Sequence, residues 1–214
     1  MEPLVNRPKT KRGKATLERI LTAAEQVFFE KGYHGASIND ITNRASIRAR
    51  TFYIYFDSKY NLYRYLLLQC SHKIRKHLSK STKDCKDRRE VERVGMRCWL
   101  QFVRENQYMY HIIWESLYVD KQLFIDYYVN FAAAYMRGLD EAKDRGEVRN
   151  IDSEVLAYTL MGATNFLGLN WGHFKEEEED LDYVTDEFMK ILDSGIFDLS
   201  KDRPAFSTDN GENQ

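Results

Sequence analysis

Proline is almost absent from this sequence. The 214 residues include three prolines, at positions 3, 8 and 204, close to the two ends. Strands and hairpins usually need proline or another punctuating residue at several internal positions. The long stretch without proline therefore predicts an interior that is mostly helical.

Cysteine and long apolar segments are also scarce. Cys70, Cys85 and Cys98 are odd in number and lack a paired short spacing, which indicates free thiols in a reducing compartment. No apolar run approaches the roughly 20 residues that a membrane span needs. The start of the chain, MEPLVNRPKTKRGK, lacks the apolar core of a signal peptide. We expect a cytoplasmic protein that is associated with the nucleoid and has no membrane partner.

Motifs that are typical of enzymes are missing as well. The sequence has no Gly-x-Ser-x-Gly elbow, no phosphate-cradling glycine loop and no His-Glu-x-x-His pair. His111 and Glu115 lie one helical turn apart, as two metal ligands would, but no third ligand follows at a recognisable spacing. We therefore expect no enzymatic activity, no metal and no cofactor.

Charge is distributed unevenly along the chain, although the formal net charge is only −1. Residues 1–80 contain 16 basic and 6 acidic side chains, whereas the remaining residues contain 16 basic and 27 acidic ones. This pattern is typical of a nucleic-acid-binding module attached to a domain that does not touch nucleic acid. The alternative is a basic face that is merely solvated.

Apolar spacing predicts several helices in the first 80 residues. Between residues 16 and 31, apolar side chains recur in the pattern of one buried helical stripe, and Gly32 ends that helix. Ser37 and Asp40 fit a capping box that opens a helix of about two turns. After residue 58, apolar residues recur at every fourth position and predict a long helix.

The stretch ASIRARTFYIYFDSK, residues 45–59, lies between the two-turn helix and the long one. It leaves room for a break and for a third helix over about 49–55. Two short helices joined by a tight turn and braced by longer helices are typical of a helix-turn-helix. Ile47, Phe52 and Phe56 would then point to the core. The outward face would present Arg48, Arg50, Thr51, Tyr53 and Tyr55 to a DNA groove and its phosphates.

The same residues resemble the DNA-binding domain of the tetracycline-repressor (TetR) family. The resemblance covers about residues 14–74 and rests on three runs: Phe28-Phe29-Glu30-Lys31-Gly32-Tyr33, Ser37-Ile38-x-x-Ile41 and Thr51-Phe52-Tyr53-x-Tyr55-Phe56-x-Ser58-Lys59. It implies an all-α fold in which an N-terminal three-helix helix-turn-helix domain is joined by a long helix to a C-terminal ligand-binding and dimerisation domain. The implied limits are 14–74, with the helix-turn-helix at about 37–56, and 80–198, with flexible tails at 1–13 and 201–214.

The resemblance also implies a function. Members are typically homodimeric transcriptional regulators, most often repressors, that a small molecule releases from a pseudo-palindromic DNA operator. For this chain it implies a recognition helix over 49–55, phosphate anchors at Thr51, Tyr53 and Lys59, and a phosphate contact at Ser37. The alternative function is a small-molecule binding protein with little DNA affinity.

The chain departs from the family pattern at the turn, which reads Ala45-Ser46-Ile47-Arg48 where Ala-Gly-Val-Ser is usual. The turn lacks its glycine, the third helix lacks its serine cap, and Arg48 and Arg50 add cations at the DNA surface. Arg50 could read a guanine edge or grip a phosphate. Its neighbours Arg48, Ala49 and Thr51 are the alternative readers. Upstream, a cationic segment resembles a basic arm for a minor groove, or else a solubilising tail: Lys9, Lys11, Arg12 and Lys14.

Beyond residue 80, apolar periodicity predicts helices over about 88–105, 107–118, 121–145, 152–173 and 181–195. In the resemblance, the last two build a homodimer through a four-helix bundle. Gly162 permits the close approach that such a bundle needs, although a contact within one chain would use it too.

The middle helices are rich in aromatic residues, with eleven between positions 99 and 135. They predict either a closely packed core or a pocket for a lipophilic effector, for which a fatty acyl compound fits slightly better than a cationic drug. Glu115 could bind a cation, and Asn165 could orient a carbonyl or a carboxylate. The candidate ligand-binding residues are Trp99, Phe102, Tyr108, Trp114, Glu115, Tyr118, Tyr127, Tyr128, Phe131 and Asn165.

Overall fold

The computed structural model describes residues 4–175 and 180–194, and within these residues the chain is helical and contains no strand. The all-α prediction is therefore confirmed. The helices are α1 (Lys11–Gly35), α2 (Ile38–Arg44), α3 (Ala49–Phe52), α4 (Lys59–Thr82), α5 (Arg88–Glu105), α6 (Gln107–Val119), α7 (Lys121–Asp144), α8 (Ser153–Leu167) and α9 (Leu181–Ser194). A π-helical segment, Gly168–Phe174, continues α8.

Most helices begin at a side chain that accepts a hydrogen bond from a backbone N–H of the first turn. Such caps satisfy donors that the helix itself leaves free. In α2 the capping box is complete, because Ser37 and Asp40 each accept from the other's backbone N–H. The other capping residues are Thr10, Ser58, Asp87, Asp120 and Asp152.

The N-terminal residues are ordered against the protein, so the prediction of a flexible tail over 1–13 is wrong for the part that the structure describes. Val5 is buried, and the Asn6 N–H donates to the Tyr55 carbonyl at 2.9 Å. Thr10 caps α1, which places Lys11, Arg12 and Lys14 inside the helix rather than in an extended basic arm. The predicted tail at 201–214 lies outside the described residues.

Two clusters of buried apolar side chains hold the helices together. The first lies under α1–α4 and continues into α6, where Met109, Ile112 and Ile113 belong to it. The second joins α5 to α7, α8 and α9 around residues such as Leu100 and Phe188. The first cluster therefore extends beyond the predicted boundary between the two domains.

The end of α8 differs from the predicted α-helix over 152–173. From Gly168 onward the turns are π-helical, and this segment lies against α5. A Cβ atom at Gly168 would come within 2.8 Å of Trp99 Nε1, and one at Gly172 within 2.9 Å of Val103 Cβ. These two glycines therefore allow a close approach within one chain. At Gly162, by contrast, a Cβ would meet nothing within 4 Å.

Candidate nucleic-acid interface and internal cavity

The start of α2 is held by charges as well as by its cap. The Asp40 carboxylate accepts from Lys31 Nζ at 2.6 Å, and the Ser37 N–H donates to the same carboxylate at 2.9 Å. The hydrogen bond from Lys31 and those from Ser37 hold the pKa of the Asp40 carboxyl well below its usual value. Ser37 is exposed at this N-terminus, where the phosphate contact is predicted.

The turn between α2 and α3 keeps a glycine-like conformation without glycine. Ser46 has φ of 51°, and it is the one non-glycine residue with positive φ among those that the structure describes. The turn is closed by the Ile47 N–H, which donates to the Thr42 carbonyl at 3.0 Å. Serine therefore occupies a left-handed conformation that costs an ordinary side chain about 1–2 kcal/mol.

The predicted recognition helix, α3, is short and exposes its cations. It ends at Phe52 rather than at residue 55, and Phe52 and Phe56 are fully buried as predicted. Arg48 is the N-cap residue of α3, but its side chain makes no capping hydrogen bond. Arg48 and Arg50 are exposed and form no ion pair within the described part of the chain. Ala49 and Tyr53 are exposed beside them, and Thr51 is half-buried. Both guanidinium groups are thus free for phosphates or base edges.

The prediction that Tyr55 lies on the outward face is wrong. Its side chain is only 8% exposed, and its hydroxyl donates to the Gly13 carbonyl at 3.1 Å. Because α3 has already ended at Phe52, the chain turns back and directs Tyr55 towards the first turn of α1. Tyr55 therefore anchors the N-terminal segment.

Lys59 is engaged inside the protein. Its ammonium donates to the carbonyls of Tyr33 at 2.6 Å and Ala36 at 2.7 Å, and it lies 4.3 Å from the centre of the Tyr33 ring. Burial lowers the pKa of Lys59, and the charge of Glu115 opposes this effect. An ammonium has three N–H donors, so one is left for the phosphate contact that remains a prediction.

A cavity of about 350 Å³ lies between α4, α5, α7 and α8. Most of its wall is aliphatic or aromatic, and its lining includes the exposed Arg75 of α4. The lining residues are Arg75, Leu78, Ser79, Thr82, Arg88, Val91, Glu92, Gly95, Met96, Trp99, Tyr127, Tyr128, Phe131, Ala134, Tyr135, Met161, Thr164 and Asn165.

The polar end of the cavity consists of an arginine and a glutamate that neutralise each other. Arg88 Nε donates to Glu92 Oε1 at 2.7 Å, and the guanidinium lies 4.8 Å from the centre of the Tyr135 ring. The Tyr135 hydroxyl donates to the other oxygen of Glu92. Burial raises the pKa of Tyr135 well above its usual value, so the hydroxyl stays a donor at neutral pH.

Half of the candidate ligand residues line this cavity. Trp99, Tyr127, Tyr128, Phe131 and Asn165 do so. The other five do not line it, and their contact with a ligand stays a prediction: Phe102, Tyr108, Trp114, Glu115 and Tyr118.

These five side chains belong to other parts of the structure. Phe102 and Tyr108 pack in the first core cluster, and Trp114 lies against Phe124 and Phe166. Glu115 accepts a hydrogen bond from α1, and Tyr118 is 79% exposed at the end of α6. Helix α6 packs on α1 and α4 as well as on α7.

Most of the lining residues that the sequence did not predict lie on α4 and α5, and the others are Ala134 and Tyr135 of α7 and Met161 and Thr164 of α8. Arg75, Leu78, Ser79 and Thr82 have the spacing i, i+3, i+4, i+7 of one helical face. Arg88 and Glu92 have the spacing of an ion pair along a helix. Both signals are present in the sequence, but they lie outside the aromatic-rich segment that drew attention to α6.

No group of three or more His, Cys, Asp or Glu that could hold a metal ion occurs in residues 4–175 and 180–194. Over the same residues, no helix has both the length and the apolar character that crossing a membrane requires.

Comparisons with known proteins agree with this architecture. The family model described as bacterial regulatory proteins, tetR family, matches residues 20–66. The chain is 28% identical over 101 residues to the HTH-type transcriptional activator FasR of Mycolicibacterium smegmatis; this match covers 47% of the chain and 46% of FasR, about half the length of that relative.

Two solved structures share the fold. A TetR-family transcriptional regulator from Syntrophomonas wolfei has a TM-score of 0.75 at 23% identity, covering 87% of this chain and 98% of that one. The transcriptional regulator FadR from Bacillus subtilis, in complex with stearoyl-CoA, has a TM-score of 0.72 at 18% identity, covering 85% of this chain and 100% of that one.

The exposed α3, the braced turn before it and the helical domain behind it form a helix-turn-helix module joined to a helical domain. The matched family model and the shared fold make the assignment more specific. Residues 20–66 match the TetR family of bacterial regulatory proteins, and the described chain shares the fold of a TetR-family regulator.

Proposed function

We propose that this protein is a transcriptional repressor that binds a pseudo-palindromic operator as a homodimer and is released by a small lipophilic molecule. The observation that carries the proposal is the position of α4. Its first half packs under the DNA-binding helices through Leu62 and Leu66, and its last turns line the cavity through Leu78 and Thr82. A molecule that fills the cavity thus contacts the same helix that braces α1–α3.

The cavity favours a ligand with a long apolar part. Its volume of about 350 Å³ lies within the roughly 300–1,000 Å³ of typical ligand sites. Glu92 is the acidic side chain of the wall, and it already accepts from Arg88 and Tyr135, so it is not available to a cationic drug. A fatty acyl compound fits better, and the stearoyl-CoA bound to the Bacillus subtilis relative supports this class.

Exposed apolar side chains on the last helices support the homodimer. Monomeric proteins rarely expose large contiguous apolar patches. Gly162 has no neighbour on its open side, so it leaves room for a helix of a second copy. The exposed apolar residues of α8, the π-helical segment and α9 are Val155, Tyr158, Phe166, Phe174, Tyr183 and Ile191.

DNA recognition is proposed to rest on α3. Arg48 and Arg50 are exposed and unpaired, and with Ala49, Thr51 and Tyr53 they occupy the face that enters a major groove. Ser37 and Lys59 lie at helix N-termini, where phosphates bind. In a dimer the two recognition helices would reach half-sites about 34–36 Å apart, or a small multiple of this distance.

The test uses the full-length protein and a duplex that it selects from a random-sequence pool. We expect an inverted repeat in the selected duplex, and we expect stearoyl-CoA, but not CoA alone, to release it. In a reporter assay the selected duplex should lower transcription. A protein that selects no duplex but binds stearoyl-CoA would instead be a small-molecule binding protein, and the proposed function would be wrong.

Two variants of α5 connect release to the cavity. Val91 lines the cavity, whereas Val94, on the same helix, does not. Val91→Phe should reduce the space for a ligand and weaken release by stearoyl-CoA about tenfold, since one misfit in an apolar site costs about 1–3 kcal/mol. Val94→Phe is the matched control and should respond as the unmodified protein does. Equal responses from the two variants would place the ligand elsewhere.

A further inference from the structure

Helix α1 changes direction at Gly32, close to its C-terminus. Gly32 has φ of 67° and ψ of 168°, which are not helical values. The break interrupts the regular hydrogen-bond ladder of α1. The N–H of Tyr33 donates instead to Oε1 of Glu115 in α6, at 2.5 Å. A Cβ at Gly32 would lie 2.8 Å from the same oxygen, so glycine is also needed to admit the carboxylate.

The short segment 33–36 is held from its other side by Lys59. The ammonium of Lys59 donates to the carbonyls of Tyr33 and Ala36 at 2.6 and 2.7 Å. The peptide groups of Tyr33 thus give their N–H to a carboxylate of α6 and their carbonyl to an ammonium of α4. Hydrogen bonds to charged groups are roughly twice as strong as neutral ones, so both contacts restrain this segment firmly.

Segment 33–36 leads directly into the DNA-binding helices. Ser37, the next residue, caps α2, and the turn and α3 follow without another long element. The direction in which the chain leaves residue 36 therefore sets the direction of α2 and of the exposed Arg48 and Arg50. Glu115 acts on this segment from a helix that lies outside the DNA-binding domain.

The other end of α6 contacts the cavity wall. The Tyr110 hydroxyl donates to the Asn165 carbonyl at 2.7 Å, and the rings of Tyr110 and Trp99 lie 6.1 Å apart. Asn165 and Trp99 both line the cavity. Since Tyr110 and Glu115 belong to one continuous helix, a shift of the wall reaches the carboxylate through a rigid element.

We propose that Glu115 is a positioning residue for DNA binding: its carboxylate fixes segment 33–36, and through it the α2–α3 unit, in the orientation that fits the operator. This proposal rests on the proposed function, because it assumes that α2 and α3 bind DNA. It assigns to Glu115 a role in place of the ligand contact that the sequence predicted.

The test compares Glu115→Ala and Glu115→Gln with Tyr63→Phe in the full-length protein. Tyr63→Phe is the matched control, because the Tyr63 hydroxyl also bonds α6, at the Ile112 carbonyl and 2.7 Å, and its removal keeps the ring that packs against Tyr33. Three quantities are measured: the melting temperature, the Kd for the selected duplex, and hydrogen exchange of the backbone amides of residues 33–40 in the free protein.

Glu115→Ala should accelerate exchange over residues 33–40 and raise the Kd about tenfold, as expected for one lost charged hydrogen bond. Glu115→Gln keeps an oxygen acceptor without the charge, so its effect should be smaller and in the same direction. Tyr63→Phe should lower the melting temperature with little change in Kd or in exchange at these residues.

The proposal is overturned if the Glu115 variants change the Kd and the exchange no more than Tyr63→Phe does at a similar melting temperature. A protein that selects no duplex would refute the proposed function instead. Hydrogen exchange of the Tyr33 amide needs no DNA. It would therefore still show whether the Glu115 carboxylate holds this N–H.

Discussion

The two halves of α4 are packed in opposite ways. Towards the DNA-binding helices, Leu62, Tyr63 and Leu66 are fully buried in the first core cluster. Towards the other end, Leu78 is half-buried and Ser79 is exposed, and both border an open cavity. Dense packing transmits displacement, whereas a cavity permits it. A movement that begins at the loose end is therefore expected to reach α1–α3 without being absorbed on the way.

The largest expected effect tests this contrast directly. Leu66→Ala should lower the free energy of unfolding by about 3–5 kcal/mol, because it creates a void in a closely packed region. Leu78→Ala should cost about 1 kcal/mol, because its side chain already borders empty space. Chemical unfolding of both variants at one protein concentration measures the difference. Similar losses would show that the two halves are equally well packed.

Arg88→Ala should follow in size, with a loss of about 2–3 kcal/mol in the free energy of unfolding. The substitution leaves the Glu92 carboxylate in the cavity without its cation, and breaking a mostly buried ion pair is costly. Arg88 and Glu92 side chains are 9% and 12% exposed. The double variant Arg88→Met with Glu92→Met should recover most of the loss. If it does not, the Arg88–Glu92 ion pair itself stabilises the fold, and the unpaired Glu92 carboxylate is not the main cause of the loss.

Arg50→Ala provides the opposite case in the DNA-binding domain. Arg50 is exposed and unpaired, so its removal should change the free energy of unfolding by less than about 0.5 kcal/mol. Binding to the selected duplex should weaken by about 1–3 kcal/mol if Arg50 reads a base. A scrambled duplex at two salt concentrations is the control. Equal weakening on both duplexes would assign Arg50 to a phosphate and leave base reading to Arg48, Ala49 or Thr51.

The smallest effect is expected where α5 meets α9. Three ion pairs connect these helices: Arg89–Asp193, Arg93–Asp186 and Arg97–Asp182. Because the side chains are largely exposed, Arg93→Ala should cost about 0.2–1 kcal/mol and less at high salt. The charge exchange Arg93→Asp with Asp186→Arg should restore stability that Arg93→Asp alone removes. A double variant no better than the single one would show that the pair contributes nothing.

Much of the fold could be predicted because helical periodicity and caps are local signals. Helix α5 begins and ends where its apolar spacing predicts, at Arg88 and Glu105. The burial of Phe52 and Phe56 could also be predicted, since the helix-turn-helix pattern fixes the inner face of α3. Tyr55 could not, because its direction depends on α3 ending three residues early, which no local residue signals.

The cavity could be predicted only in part for a different reason. Aromatic content shows that large side chains are present, but not which neighbour each of them meets. Trp99 and Phe131 face the cavity, whereas Trp114 and Tyr118, on a helix of similar composition, do not. What separates them is the packing of α6 on α1, a contact between segments about 80 residues apart. The spacing of residues along the sequence does not show that α6 packs on α1.

The continuation of the first core cluster into α6 limits how this protein can be recombined with its relatives. A fragment cut after Thr82 would lose Met109 and Ile112, which complete that core, and the Tyr63 hydroxyl would lose its acceptor at Ile112. The helices proposed to read DNA therefore do not form an independent unit with a hydrophobic core of its own. A functional chimera has to contain the inner face of α6 together with residues 4–82. The same requirement applies when recombination transfers a DNA-binding segment between related proteins.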